Sequence, residues 1–353
     1  MRAAFRPVAV LVILASCAET DAPTVLPPER EMQPYGAAIT ETFSAVSGGV
    51  FFGDTLFVAD RLENKVVAID LGDGSAKYVG GEGSGPGEFR TPSAILQWPG
   101  DSVVVWDGQT RAFSVWSKSL SFGRTFRIEH AAAATPFGST QDGRLFAAIE
   151  QHRSRSPGVT SRVDSVVIVR LGTGTPAIDT LAFASVGRRR ALTNASSDGT
   201  DVSSFFVDEP FSETDVWGAF SGRVIIARSE PFRLEIVSDR KTATGPVLPN
   251  PQVAVTAADR APWEKRKLGD PWNWPAYKPP FPRQSLIAGG GLAYLEVSAP
   301  AGSRMYFALD SLGNTVFRFS VDGNMELIAA RENVVAFTER DDTNLLHLRV
   351  FRF

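Results

Sequence analysis

Two stretches of the sequence align with each other and decide the fold: GDTLFVAD at residues 53–60 and GDSVVVWD at residues 100–107. Each opens with a Gly-Asp turn, continues as a run of apolar and β-branched residues, and ends on an aspartate. Short runs of this composition, bounded by turn residues, are typical of β-strands. A second strand pattern follows each stretch, at residues 66–71 and 113–116. The pair therefore indicates an internal repeat of strand, turn and strand.

The same pattern recurs along the chain. The first apolar residue after each strand-opening turn forms a series with steps of 47, 42, 79, 68 and 42 residues. The series is Leu56, Val103, Leu145, Val224, Leu292 and Val334. Three of the steps have about the length of one β-propeller blade. Long amphipathic helix patterns are absent; Thr256 and Asp259 predict one short capped helix that Pro262 stops within two turns. We therefore predict an all-β, six-bladed β-propeller, with seven blades as the alternative.

Two of the steps exceed one blade by about 30 residues. We expect the extra residues to form strand-poor insertions at 184–213 and 249–283, on the face where function collects. The last unit ends in a strand at residues 348–353 and lacks an outer strand, whereas residues 37–43 alternate and can pair there. Such closure would remove exposed sheet edges. The expected domain is a single propeller over residues 36–353, its last blade closed by an N-terminal strand.

The segment GGEGSGPGEFRTP at residues 80–92, followed by a strand and GDSVVVWD, resembles one NHL repeat. The resemblance is good over residues 80–117, partial over 47–79 and faint elsewhere. As a whole, the chain is similar to six-bladed β-propeller lipoproteins of bacteria, most of them uncharacterised. The resemblance implies a propeller fold and an envelope location, and it implies no particular ligand.

The N-terminus has the features of a processing segment: Arg2 and Arg6, an apolar run at 7–13, and LASC at 14–17. The apolar run is too short to span a bilayer. LASC resembles the lipobox of bacterial lipoproteins, which implies a signal peptide at 1–16 and lipidation of Cys17, the only cysteine. An ordinary signal peptide is the alternative. The resemblance implies a lipid anchor in the cell envelope, and Ala18 favours the outer membrane because it is not the aspartate linked with inner-membrane retention.

The remaining N-terminal residues, 17–35, are rich in proline and acids and are expected to form the lipidated end and a flexible tether. Removal of residues 1–16 would take away Arg2 and Arg6, so the formal charge would change from −3 to −5. A mildly acidic chain of this kind does not suit a nucleic-acid surface, which is basic. We therefore expect no nucleic-acid partner.

The second insertion is the main candidate for binding because aromatic and basic residues alternate in it. Between residues 249 and 283, six basic residues face three acids. The candidates there are Trp263, Trp272, Trp274, Tyr277, Arg266 and Lys267. Aromatic faces between cations can stack on sugars, aromatic ligands or prolines. The alternative is that the tryptophans plug the mouth of the propeller axis.

Two further candidates, Arg188 and Arg189, belong to a triplet of arginines at 188–190 in the first insertion. The alternative for the triplet is internal pairing on a solvated loop. The acids available for pairing are Asp198, Asp201, Asp208, Glu209 and Glu213. Asp60 and Asp107 occupy equivalent repeat positions, so we expect them to cap turns rather than to catalyse.

We therefore expect an envelope propeller that binds a ligand or a protein partner through its insertion face, without catalytic residues or a cofactor. The alternative is a propeller-type hydrolase or lyase with an axial divalent metal such as calcium. The sequence offers this alternative little: His130, His152 and His347 lack metal-ligand spacing, and no GxSxG motif occurs.

Overall fold

The computed structural model describes residues 25–128, 134–150, 161–172, 178–195, 202–239, 241–265, 272–283 and 285–353. Strands make up 58% of the described residues and helix 3%, so the fold of this part is all-β, as predicted. Cys17 and the segment 1–16 lie outside the described residues. No helix of the described part is long and apolar enough to cross a membrane.

Among the described residues, two short strands precede six antiparallel sheets, which we number in chain order. Each sheet has four or five strands when the two short strands are counted in the last one. The short strands are β1 (Gln33–Pro34) and β2 (Thr42–Phe43). Sheet 1 contains β3 (Val46–Phe52), β4 (Thr55–Asp60), β5 (Lys65–Asp70) and β6 (Ala76–Val79). The glycine-rich segment after it forms a small parallel pair, β7 (Gly81–Glu82) and β8 (Glu88–Phe89).

The next three sheets follow the same order from first to last strand. Sheet 2 contains β9 (Pro92–Trp98), β10 (Ser102–Asp107), β11 (Ala112–Ser117) and β12 (Phe122–Phe126). Sheet 3 contains β13 (Ala134–Ser139), β14 (Leu145–Glu150), β15 (Ser161–Leu171), β16 (Ile178–Ala195) and β17 (Val202–Asp208). Sheet 4 contains β18 (Val216–Phe220), β19 (Arg223–Arg228), β20 (Arg233–Ser238) and β21 (Lys241–Val247).

The one described helix, α1 (Ala257–Glu264), precedes sheet 5. Sheet 5 contains β22 (Leu286–Gly289), β23 (Leu292–Val297), β24 (Ser303–Leu309) and β25 (Thr315–Asp322). Sheet 6 contains β26 (Met325–Arg331), β27 (Val334–Arg340) and β28 (Leu346–Arg352). Each of the six aligned residues of the sequence repeat lies in the second strand of a different sheet.

The first strands of the sheets contact one another in a closed series: β3, β9, β13, β18, β22, β26 and β3 again. Six apolar clusters fill the spaces between neighbouring sheets. Between sheets 1 and 2, for example, Phe57 and Val66 pack with Val103 and Trp116. Since each cluster draws residues from two sheets, each sheet relies on both neighbours to bury its apolar faces.

The order of the strands gives the ring two distinct faces. In each sheet the chain runs outward from the first strand, so the turn between second and third strands lies on the same face as the connection to the next sheet. We call this the connection face. The turns between first and second strands, and between third and fourth, lie on the opposite side, which we call the turn face.

The N-terminal strands both pair with β28 of sheet 6. Gln33 lies opposite Arg352, and Thr42 lies opposite His347. Only Thr42 and Phe43 of the expected pairing segment 37–43 are in this strand, and β1 comes from the segment expected to be tether. We call residues 25–35 the N-terminal strap. They pack on the ring because Leu26 and Met32 contact its apolar clusters. The expected tether therefore applies only to residues 17–24, which lie outside the described residues.

The insertions differ from expectation in one respect. The first is not strand-poor: β16 continues beyond its pairing with β15 and pairs antiparallel with β17, the outermost strand of sheet 3. The sequence VSSFFVD at 202–208 is rich in strand-forming residues, which explains the difference. In the second insertion the short helix is confirmed. Thr256 and Asp259 form a capping box, and Pro262 lies within the last turn.

Candidate functional site

Asp60 and Asp107 cap turns, as expected from their repetition. Each ends the second strand of its sheet and is almost fully buried. Asp107 accepts four backbone N–H bonds, two from the incoming connection at Arg90 and Thr91 and two from the next turn at Gln109 and Thr110, at 2.6–3.0 Å. Asp60 does the same with the donors Ser44, Ala45, Leu62 and Glu63. These carboxylates hold two loops together and have no free acceptor for a substrate.

The electrostatics of Asp107 agree with a structural role. Burial alone would raise the pKa of its carboxyl, yet the backbone donors of Thr110, Thr91 and Arg90 outweigh burial and lower it. The ionised form is therefore the one that the fold stabilises.

Sheet 4 replaces this arrangement with a different one. Its second strand ends on Arg228 rather than on an aspartate, and the carboxylate comes from Asp215 in the incoming connection. Asp215 accepts from Arg228 Nη1 at 2.8 Å, from Ser185 N at 2.9 Å and from Ser229 N at 3.0 Å. The other nitrogens of Arg228 donate to Glu235 at 2.6–2.8 Å. The ion pair joins the same two loops, and it also reaches the third strand.

The two insertions meet above sheet 4, on the connection face. Arg190 of the first insertion lies over the ring of Trp272, 4.3 Å from its centroid. Phe211 contacts Trp274 edge to face, with centroids 6.2 Å apart. Trp263 packs against Trp272 in the same geometry at 6.1 Å. The three tryptophans are half-buried, so they form a contact between the insertions and are not part of the apolar clusters between the sheets.

An open groove of about 810 Å³ lies between these insertions. It has the volume of a site for a small organic ligand. Its lining joins the first insertion, the turn of sheet 4 and the second insertion. The lining residues are Ser185, Gly187, Arg188, Glu209, Pro210, Phe211, Ser212, Glu213, Asp215, Arg228, Ser229, Glu230, Pro231, Glu235, Asn273, Trp274 and Pro275.

A pair of carboxyl groups lies in this groove. Glu213 and Glu230 both line it and are exposed, and their side chains are close enough to interact. Partial burial raises the pKa of Glu213, and the charge and hydrogen bond of Glu230 and the charge of Asp215 raise it further. A second carboxyl group this close favours the protonated form of Glu213. We call Glu213 and Glu230 the carboxyl pair.

The described lining of the groove is acidic, although the second insertion is basic in sequence. Five carboxyl side chains line the groove beside two guanidinium groups, those of Arg188 and Arg228. Arg228 is already engaged by Asp215 and Glu235, and Arg188 lies 3.9 Å from Glu209. The groove therefore favours a cationic ligand over an anionic one.

Phe211 has an unusual backbone conformation for a bulky residue. Its φ is +57°, in the left-handed region that favours glycine. A conformation of this kind costs free energy and persists where the surroundings impose it, and it is enriched at functional sites. Here it accompanies the placement of the aromatic ring against Trp274, at the wall of the groove.

The structure brings some of the predicted binding residues to the groove and places others elsewhere. Arg188 and Trp274 line it. Arg189 lies in ion pairs with Asp208 at 2.7 Å and with Asp164 at 3.3 Å, so the internal pairing considered for the arginine triplet is present. Tyr277 is 54% exposed outside the groove.

The remaining predicted residues lie outside the groove or outside the described residues. Trp263 and Trp272 support the contact between insertions without lining the groove. Arg266 and Lys267 lie outside the described residues. Lys278, a cation of the same insertion, forms an ion pair with Asp259 at 2.8 Å and so fixes α1.

Neither the carboxyl pair nor the Asp215–Arg228 pair is apparent in the sequence, where Glu213 stands out only as a partner for the arginine triplet. The second strand of sheet 4 ends on Arg228, but those of sheets 3, 5 and 6 also lack the aspartate, so the repeat alone does not single out sheet 4.

Within the described ranges, no group of three or more His, Cys, Asp or Glu side chains is arranged to hold a metal ion. Of the three histidines, His347 is described, and its Nε2 lies 2.7 Å from Asp341 Oδ2. His130 and His152 lie outside the described residues.

No protein-family model matches the chain, and a search of curated proteins found no match. The solved structures that it resembles are propeller-type proteins. A Bacteroides fragilis protein described as exported is 10% identical, with 93% of this chain and 99% of that chain covered and a TM-score of 0.49. Virginiamycin B lyase from Staphylococcus aureus is 10% identical, with 92% and 100% covered and a TM-score of 0.45.

A gluconolactonase from Xanthomonas campestris is 11% identical, with 94% and 98% covered and a TM-score of 0.44. At identities this low and TM-scores below 0.5, no residue role or activity of these proteins is carried over to this chain.

Proposed function

We propose that this chain is a lipid-anchored protein of the bacterial cell envelope, a six-bladed β-propeller with NHL-like repeats that binds a ligand in the groove between its two insertions. Six sheets with a closed series of inner contacts support the blade count. The pairing of β1 and β2 with β28 supports closure by the N-terminus. The lipobox-like LASC sequence supports lipidation of Cys17, with the outer membrane favoured by Ala18.

One observation carries the binding function: two insertions that are separate in sequence meet at one sheet and line one groove. Aromatic side chains form part of its wall, and the carboxyl pair lies within it. Aromatic faces and carboxylates both attract organic cations. The ligand we propose is therefore a molecule, or a side chain of a protein partner, with an amine or guanidinium group beside an apolar part.

The test is calorimetric titration of the purified protein with phenethylamine and benzamidine, using phenylacetate as the matched anion. We expect both cations to bind with one site per chain, and phenylacetate not to bind. Equal binding of the anion, or no binding of either cation, would contradict the proposal.

A matched set of variants locates the binding. Replacing Trp272 and Trp274 together with alanine should abolish cation binding while the melting temperature changes little, because both are half-buried at a surface contact. Tyr277→Ala, in the same insertion but outside the groove, is the control and should bind normally. A fall of many degrees in the double variant would show instead that the tryptophans stabilise the fold.

A second candidate function is a hydrolase or lyase, and the carboxyl pair favours it. Two neighbouring carboxyl groups, one of them with a raised pKa, can act as general acid and base. In this case Glu230→Gln would remove turnover of a bound ligand while preserving its binding. The form of this candidate with an axial calcium ion is tested by metal analysis of the purified protein, in which a stoichiometric metal would favour it.

A further inference from the structure

The N-terminal strap runs along the outer edge of sheet 5 in a defined direction. Arg318 N donates to Pro28 O, and Arg30 N donates to Arg318 O, both at 2.9 Å. This is a parallel bridge centred on Glu29 and Arg318. The side chains of the same two residues form an ion pair at 2.7 Å. The strap therefore runs beside β25 in the same direction as β25.

This direction decides where the chain leaves the ring. β25 is the fourth strand of sheet 5, so it starts at the turn face and runs toward the connection face. Because the strap is parallel to it, its first residue, Val25, lies toward the turn face. The groove is built from connections between sheets and from the second turn of sheet 4, so it lies on the connection face. The chain toward Cys17 therefore departs on the side opposite the groove.

The length of chain between the exit and the anchor is short. Seven residues lie between Cys17 and Val25, so the two are eight Cα–Cα steps apart. Fully extended, these eight steps reach about 28 Å. Three apolar side chains are exposed at this end of sheet 5: Val25 at 83%, Leu312 in the turn before β25 at 67%, and Val316 at 38%. A short tether and an apolar edge both bring this part of the turn face close to the bilayer.

We propose that the turn face at the outer edge of sheet 5 lies against the membrane and that the groove faces away from it. The inference rests on the lipid anchor of the proposed function. It assigns the bilayer surface as the partner of Val25, Leu312 and Val316, and it leaves the groove open to ligands from the aqueous side.

The experiment fixes the anchor chemically, so that its outcome does not depend on lipidation in the cell. The chain from residue 17 onward retains every described contact, and Cys17 is its only thiol. Cys17 is coupled to a maleimide lipid in vesicles of phosphatidylethanolamine and phosphatidylglycerol that contain a spin-labelled lipid. Leu312 or Asn273 is replaced in separate proteins by azidophenylalanine, which carries the fluorophore. We expect the spin label to quench the probe at 312 several-fold more than the probe at 273, which lines the groove.

Two controls test whether the short tether and the strap set the orientation. A long Gly/Ser linker inserted between Thr24 and Val25 should reduce the quenching at 312 toward that at 273. Arg318→Ala, which removes the ion pair that holds the strap, should have a smaller effect in the same direction. Equal quenching at both positions, or stronger quenching at 273, would overturn the proposed orientation. Mass spectrometry of Cys17 in protein purified from bacterial membranes tests the anchor separately.

Discussion

Sheets 2 and 4 each join two equivalent loops, the incoming connection and the turn between the second and third strands, but they use different side chains to do so. In sheet 2 a single carboxylate, Asp107, accepts four backbone N–H bonds and is fully occupied. In sheet 4 an ion pair, Asp215 with Arg228, takes its place. The first arrangement is closed, whereas the second leaves the turn of sheet 4 to line a groove.

The difference shows how a repeat can be modified without loss of the fold. A buried aspartate fixes both loops with one side chain, but the backbone donors occupy its acceptor positions, so the carboxylate cannot contact a ligand. Moving the carboxylate to Asp215 and placing Arg228 at the repeat position keeps the loops joined. Ser229 and Glu230, the next residues along the chain, line the groove.

The largest expected effect comes from breaking the closed arrangement. Asp107→Ala leaves four backbone donors without their acceptor in an almost fully buried position. Since each unsatisfied buried donor costs free energy, we expect the free energy of unfolding to fall by about 3 kcal/mol. Chemical denaturation monitored by tryptophan fluorescence measures it.

Asp107→Asn is the matched variant, because it keeps one acceptor oxygen for one of the two loops. It should lose about half as much as the alanine variant. The lowered pKa of Asp107 adds a pH test: the ionised carboxylate stabilises the fold, so the advantage of the wild type over Asn should disappear as pH falls through that pKa. An advantage that is independent of pH would contradict the role of the charge.

The fold could be predicted from the sequence because its signal is repeated. Leu56, Val103 and their four equivalents sit at the same place in six sheets, so each supports the others. The strand pairing in the first insertion was missed because β16 and β17 occur once and have no equivalent in the repeat. The strap was assigned to a tether for a similar reason, since its prolines hide the apolar contacts of Leu26 and Met32.

The candidate site could be predicted only in part. Trp274 and Arg188 are conspicuous in sequence and line the groove. The carboxyl pair could not be found in this way, because Glu213 and Glu230 belong to different loops and meet only when sheet 4 folds. The net charge of the second insertion also does not predict the charge of the groove. Most of its basic residues do not line the described groove, whose charge comes from the first insertion and the turn of sheet 4.

The second prediction breaks the arrangement in sheet 4. Arg228→Ala leaves Asp215, which is 7% exposed, and Glu235 without their shared cation. We expect the free energy of unfolding to fall by about 2 kcal/mol, less than for Asp107→Ala because Asp215 keeps two backbone donors. The control is Arg349→Ala, which removes an exposed ion pair with Glu339 and should cost less than about 0.5 kcal/mol. Equal losses in the two variants would show that the pair in sheet 4 has no special role.

A smaller effect on stability is expected at the wall of the groove. Phe211→Gly relieves the positive φ of a bulky residue and removes the ring contact with Trp274, two effects of opposite sign. The free energy of unfolding should therefore change by less than about 1 kcal/mol, while affinity for benzamidine should fall several-fold. Tyr277→Ala, outside the groove, serves again as the control. Unchanged affinity would exclude Phe211 from the binding surface.

The smallest effect on stability is expected from Glu213→Gln, and its value lies in the pH dependence. Because the folded state raises the pKa of Glu213, the stability that the proton provides is present at low pH and is lost as pH rises through that pKa. The wild type should thus lose a little melting temperature over this range, and the glutamine variant should not. A cation in the groove favours the ionised pair, so wild-type affinity for benzamidine should rise with pH and proton release should accompany binding. In Glu213→Gln the pH dependence should flatten, whereas in Asp107→Asn it should persist. If Glu213→Gln keeps the wild-type pH dependence, the proton belongs to another group and the contrast between the closed and the open sheet loses its chemical basis.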